Sequence, residues 1–313
     1  MPAMNSLPER TFGVEIECAM PRARFPSAEC VTAELKQRGF DFNTPGHKNY
    51  GRWSIHGDGG SLDTLNYWGC EIITPILCGE QGLAELTRMM AALKEMGALG
   101  GWYSGMHVHI GTDGLTPEQR LNWWATMLRY EPCLQQIVAP RRSGTYCYES
   151  ATAPVCKNGV ETMVKLPVTQ EWALHGWGNN GTWDASKGYI DMPIGGQFGR
   201  SRRGYPTCEI RIHQGTVDGE KAAHWVRLLL HICEIGKDLP PQKDRVAGKT
   251  WAAFASVLMR FGLPKATRDY WLAIRQAYIG KHACEDMPKP DLDHAAQLER
   301  ITAARQPTAR AGC

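Results

Sequence analysis

Three short segments of this chain alternate ionisable and apolar residues with a period of two. Glu15-Ile16-Glu17, His107-Val108-His109 and Glu209-Ile210-Arg211-Ile212-His213 each place ionisable side chains at i and i+2. A β-strand points successive side chains to opposite faces, so within each segment these groups share one face, about 6.5–7 Å apart along the strand. The other face then carries Val14, Ile16 and Cys18, then Met106, Val108 and Ile110, then Cys208, Ile210 and Ile212. Glu71 lies on a fourth such segment, with Ile72 beside it.

A half-buried strand with a solvated polar face shows the same alternation. Solvated strand faces, however, normally carry Thr, Ser, Lys and Arg, whereas these segments carry Glu, His and Arg. Converging carboxylates repel one another and destabilise a fold unless cations neutralise them. A face of Glu and His fits divalent metal, and a following Arg fits phosphate. Carboxylates dominate the set, which favours Mg²⁺ or Mn²⁺ over zinc. An H-x-H pair by itself also suits a zinc hydrolase. A metal-dependent hydrolase built on His107 and His109 is therefore the second hypothesis, and a non-catalytic binding protein the third. The chain has no G-x-x-x-x-G-K-[ST] sequence, so a P-loop fold is not supported.

Start and stop signals place these strands among helices. Thr116-Pro117-Glu118-Gln119 is a capping box with Pro at the first helical position, opening a helix to about Val138. Other helices are predicted over Ala28–Arg38, from Glu80 to Met96 before Gly97, and from Gly219 to Lys237 behind an Asp218 cap. Further helices are predicted from a Thr250 cap to Phe261, over Lys265–Gly280 and over Leu292–Arg305. Predicted strands are Thr11–Cys18, Phe40–Asn43, Arg52–His56, Cys70–Thr74, Met106–Gly111, Tyr189–Pro193 and Cys208–His213. Strands separated by helices predict an α+β or α/β sheet. After residue 238 almost everything reads as helix, which predicts two parts, 1–238 and a helical 239–313.

Composition excludes several classes. Lys and Arg number 35 against 32 Asp and Glu, a net charge of +3, and no run of five Lys/Arg exists. Nucleic-acid binding is therefore not expected. No apolar stretch reaches the roughly 18 residues that a membrane helix needs. The first ten residues lack the apolar core of a secretory signal. The 11 cysteines are widely spaced and contain no C-x-x-C pair. They read as buried apolar side chains in a reducing, cytoplasmic setting rather than as a disulfide framework.

Several motifs together resemble the amidoligase family, which is related to glutamate–cysteine ligase and glutamine synthetase. They are Phe12-Gly13-Val14-Glu15-Ile16-Glu17, Asp58-Gly59-Gly60-Ser61, Glu71-Ile72-Ile73-Thr74-Pro75, and Ser104-Gly105-Met106-His107-Val108-His109-Ile110. The run Glu209-Ile210-Arg211-Ile212-His213-Gln214-Gly215-Thr216-Val217-Asp218 and Trp225 complete the set. The resemblance spans about residues 11–230. It implies an α+β, glutamine-synthetase-like fold, with a mainly antiparallel sheet forming a concave funnel and helices flanking it. It implies ATP and Mg²⁺ on that face, with Mn²⁺ as a substitute. The implied reaction phosphorylates a small-molecule or peptide carboxylate, and an amine attacks the acyl phosphate to give an amide. By position, Glu15, Glu17, Glu71, Glu209 and His107 resemble metal ligands. His109 resembles the histidine near the ATP phosphates, and Arg211 the arginine on the transferring phosphate. Arg211, His109 and Glu17 are thus the expected catalytic residues. The order Glu209-x-Arg211 follows the glutamate–cysteine ligase pattern and reverses that of glutamine synthetase.

Other residues carry two readings each. Arg141 and Arg142 either reach phosphate or end a solvated helix. Arg202 and Arg203 belong either to a loop that closes over an acidic substrate or to a plain basic loop. With His109 and Arg211, Arg142 and Arg203 make up the expected nucleotide contacts. Asp58 sits in a site or in a turn. Trp172, Trp177 and Trp183 form a lid that keeps water from an acyl phosphate, or simply pack a loop. His213 belongs to the site or lines the sheet rim.

Overall fold

The computed structural model describes residues 7–47, 49–57, 65–100, 104–134, 136–138, 190–191, 207–239, 255–256, 258–259 and 261–278. Its strands are β1 (Phe12–Pro21), β2 (Ser54–Gly57), β3 (Tyr67–Ile73), β4 (Gly105–Gly111), β5 (Ile190–Asp191) and β6 (Thr207–Gln214). Its helices are α1 (Ala28–Gln37), α2 (Gly79–Glu95), α3 (Pro117–Leu134), α4 (Gly219–Gly236) and α5 (Lys265–Tyr278). The strands form one six-stranded sheet in the order β2-β3-β1-β4-β6-β5, and every neighbouring pair is antiparallel.

Alternation decides which face meets the helices. Val14, Ile16 and Cys18 of β1, Cys70 and Ile72 of β3, Met106, Val108 and Ile110 of β4, and Cys208 and Ile210 of β6 are all fully buried. They join one core with Leu83, Leu86, Met89, Met90 and Leu93 of α2, Trp123 and Met127 of α3, and Trp225, Val226 and Leu229 of α4. The helices lie against this face, and α4 packs on both α2 and α3. Trp271 of α5 meets Trp225 edge-on at 5.7 Å, joining α5 to the same core.

The helix signals act as the sequence predicts. Thr116 Oγ1 accepts from the Gln119 amide at 3.1 Å, while Gln119 Oε1 accepts from the Thr116 amide at 3.1 Å. Asp218 accepts from the Lys221 amide at 3.1 Å. The left-handed Gly97, with φ of 84°, stops α2 where a side chain would be strained.

Three expectations are corrected. Phe40–Asn43 is not a strand; Phe42 makes a single isolated parallel bridge to Trp53, and the Phe40 and Phe42 rings pack on that indole. Helix α3 ends at Leu134 rather than near Val138. His213 does not share the face of Glu209 and Arg211. Met106 pairs with His213, but Val108 pairs with Ile210, so two residues of β4 span three of β6. The extra residue is a β-bulge, which turns the following side chains to the opposite face. His213 is therefore fully buried among the helices, with its ring 5.0 Å from that of Trp225. The loop of Trp172, Trp177 and Trp183, the helix predicted over Leu292–Arg305, and most of the one after Thr250 lie outside the described residues.

Candidate active site

The face opposite the helices gathers the ionisable residues of five strands in register. Across the sheet, His56 of β2 stands opposite Glu71 of β3, which stands opposite Glu17 of β1. Glu15 stands opposite His107 of β4. Gly13 stands opposite His109, which stands opposite Glu209 of β6. The local i, i+2 pattern on each strand thus becomes a two-dimensional patch.

The Glu17–Glu71 pair sets two carboxylates directly opposite each other. Thr74 donates its amide to the Val14 carbonyl at 3.0 Å, and Val14 donates its amide to Thr74 Oγ1 at 2.9 Å. This fixes Val14–Thr74 as a hydrogen-bonded position of the β1–β3 ladder. Counting by alternation, Glu17–Glu71 falls on a non-hydrogen-bonded position, where facing side chains stand closest. Two like charges directly opposite at such a position destabilise the strand pair.

His107 sits at the centre. Its Nδ1 lies 3.2 Å from Glu15 Oε2 and 3.7 Å from Glu209 Oε1, and its Nε2 lies 3.4 Å from Glu17 Oε1. His109 Nε2 lies 3.4 Å from Glu15 Oε1 and 3.5 Å from Glu209 Oε1. Arg211 Nη2 reaches Glu209 Oε1 at 2.5 Å, and its Nη1 approaches His107 Nδ1 at 3.4 Å. Glu15, His107 and Glu209 are buried, while Glu17, Glu71, His109 and Arg211 are half-buried. The deeper groups are thus shut away from water, and the shallower ones remain open to a ligand.

These contacts polarise the site. Burial alone would push the Glu15 carboxyl upward, but hydrogen bonds and charge attraction from His107 and His109 outweigh it. The group is held well below the ordinary carboxylate value. Burial pulls His109 down, yet its contacts with Glu15 and the nearby Glu209 leave it above the ordinary histidine value.

The metal-ligand residues read from the sequence converge. One oxygen or nitrogen from each of Glu15, His107 and Glu209 falls within a mutual 4.8 Å, and so does one from each of Glu17, Glu71 and His107. Both groups are dominated by carboxylate oxygen, with a single imidazole. That donor set fits Mg²⁺ or Mn²⁺, and among the described residues no cysteine joins it.

Close backbone packing holds Glu17 in place. Its Oε2 accepts from the Gly105 amide at 2.5 Å. Gly215 donates its amide to the Ser104 carbonyl at 2.7 Å. A Cβ on Gly215 would stand 1.9 Å from Ser104 Oγ and 2.9 Å from the Glu17 carbonyl oxygen. The glycine therefore lets β6 close on the strand end that presents the Gly105 amide.

Sequence reasoning missed two neighbours. His56 extends the Glu17–Glu71 row, and Thr207 Oγ1 lies 3.2 Å from His109 Nδ1. Thr207 sits two residues from Glu209 on β6, but only the strand pairing shows what either residue stands beside. Asp58, Arg141, Arg142, Arg202 and Arg203 lie outside the described residues.

The chain belongs to the amidoligase family: the family model described as "Putative amidoligase enzyme" matches residues 8–174, more than half of its length. Membership makes it a carboxylate–amine ligase in class. Glu209 and Arg211 lie beyond the matched segment, and the β4–β6 register brings them to it. One similar solved structure is titled a novel glutamine synthase homolog. It is 14% identical, with 94% of this chain and 71% of that chain covered at a TM-score of 0.45. Another is a bifunctional glutathione synthetase from Pasteurella multocida. It is 12% identical, with 95% of this chain and 50% of that chain covered at a TM-score of 0.37. The chain thus spans half the length of the synthetase. No curated protein matches the sequence. Among the described residues no helix is long and apolar enough to cross a membrane.

Proposed function

We propose that the chain condenses a carboxylate with an amine at the expense of ATP, through an acyl phosphate, with Mg²⁺ bound on the site face. The observation that carries this proposal is the cross-strand patch itself. Four carboxylates converge on His107, with Arg211 as the ion-paired arginine among them. Such an arrangement is stable when divalent cations and phosphate complete it.

In this proposal Glu15, His107 and Glu209 hold one Mg²⁺, and Glu17 and Glu71 hold another. Bound there, Mg²⁺ neutralises and orients the phosphate oxygens of ATP. Arg211 turns its guanidinium to the phosphoryl group in transit, where charge neutralisation matters more than a protein nucleophile. His109, half-buried at the open side of the patch, donates to phosphate oxygen. Glu17, anchored by the Gly105 amide, would be held in place as a ligand of the second Mg²⁺. Arg142 and Arg203 supply further cationic contacts to nucleotide or acid, and the Trp172–Trp183 segment excludes water from the acyl phosphate. The sheet face forms the floor of a funnel, and residues 1–238 make the catalytic unit, which residues 239–313 extend. The substrates are small-molecule or peptide acids and amines, and the enzyme works in the cytoplasm.

Nucleotide-dependent stabilisation tests the proposal. ATP with Mg²⁺ is expected to raise the melting temperature above that with Mg²⁺ alone, because a ligand that binds only the folded state stabilises it. No difference between the two would contradict it.

A further inference from the structure

We infer that Thr207 is a positioning residue that holds the His109 ring in the orientation needed for nucleotide phosphate. This rests on the ligase proposal for what His109 contacts, but the placement of the ring stands on geometry alone.

Bare positions lie on two sides of His109, with Glu209 opposite it on β6. Its partner on β1 is Gly13, which brings no side chain against the ring. Thr207 itself pairs with Gly111 on β4, and a Cβ on Gly111 would stand 2.3 Å from Thr11 Oγ1. Position 111 therefore stays bare, and the Thr207 hydroxyl is left to meet the histidine two residues along β4, the next one on this face. It does so at 3.2 Å from Nδ1. The other ring nitrogen, Nε2, faces Glu15 and Glu209 at 3.4 and 3.5 Å.

The two ends of the ring are thus held differently. Nε2 is held by carboxylates, and those are the groups that divalent metal would claim. When Glu15 and Glu209 turn to a cation, their hold on Nε2 weakens. The Thr207 hydroxyl meets Nδ1, at the other end of the ring from these carboxylates, so its hold persists. It is then the contact that keeps Nε2 aimed at the site rather than rotating about χ2. Partners that orient a metal-ligating histidine through its second nitrogen typically contribute 10–100-fold to affinity or activity, which sets the scale for an orienting contact of this kind.

The experiment compares Thr207→Val, Thr207→Ser, His109→Asn and the Val/Asn double variant in the full chain. Valine keeps the shape and strand preference and removes the hydroxyl; serine restores it. Two-dimensional ¹⁵N–¹H spectra of the imidazole rings, without nucleotide or metal, are expected to show the His109 Nδ1 resonance moved in Thr207→Val and restored in Thr207→Ser. An unmoved resonance in the valine variant would overturn the inference. With Mg·ATP, about a tenfold loss in ADP release or nucleotide affinity is expected for Thr207→Val, with none added to His109→Asn. Additive losses would overturn it too, because Thr207 would then act independently of His109. If the wild-type chain gives no response to Mg·ATP, the ligase proposal fails, while the ring spectra still decide the positioning role.

Discussion

Glu71→Gln separates stability from function in opposite directions. The change removes one of two carboxylates facing each other across β1 and β3, keeping shape and hydrogen-bonding capacity. Ligand oxygens of Glu17 and Glu71 lie within 4.8 Å of one another. Two unit charges at that distance repel by about 1 kcal/mol at the dielectric of water and about 3.5 kcal/mol at an effective value of 20. Both groups are half-buried, so solvent screening places the relief toward the lower figure. In chelator, Glu71→Gln is therefore expected to melt about 2–4 °C higher than the parent chain. With millimolar Mg²⁺ or Mn²⁺ the order reverses, because the parent gains metal stabilisation and the variant loses most of it. Differential scanning fluorimetry with and without EDTA reads both. A variant that melts lower in chelator and keeps the full metal response would refute the reasoning, since Glu71 would then be a structural partner rather than a strained ligand.

Three other perturbations follow from the same geometry. The metal-free chain carries a histidine, His109, with a raised pKa: its ion pair with Glu15 contributes fully below about 6.5, the unperturbed value. That contribution is lost as pH rises through the higher folded value, and Glu15, held low, stays ionised throughout. The melting temperature in EDTA is thus expected to fall as pH rises above 6.5, and His109→Asn to flatten that slope; an unchanged slope in the variant would show the ion pair is not its source. Gly215→Ala forces a methyl group against Ser104 and the Glu17 carbonyl oxygen. A loss of about 1–3 kcal/mol in denaturant melts is expected, with partial recovery when Ser104→Gly is added. Arg211→Ala is expected to reduce ADP release by about 10³-fold and to leave Glu209 without that arginine; near-normal turnover would remove Arg211 from phosphoryl transfer.

The local parts of this structure were legible because period-two alternation needs no partner to be read. Glu15, Glu17, His107, His109, Glu209 and Arg211 reach one face, with Ile16, Val108 and Ile210 beneath them, as the i, i+2 rule requires. The helix caps at Thr116 and Asp218 were legible for the same reason. Long-range register was not. Nothing local shows that β2 lies beside β3, so His56 opposite Glu71 stayed invisible, as did Thr207 beside His109. The bulge between Arg211 and His213 depends on how β6 pairs with Met106, and it sends His213 into the helical core. Phe40–Asn43 has strand-like alternation, but Phe40 and Phe42 both serve to pack against Trp53, a contact that a single paired bridge satisfies.

The most direct test of the central claim is product analysis. The full chain is incubated with ATP, Mg²⁺ and panels of acids and amines, with ADP release and mass spectrometry read together. A pair is expected that gives ADP, phosphate and a product one water lighter than the sum of acid and amine. Cleavage of an amide without nucleotide, by protein that retains zinc through purification, would contradict it.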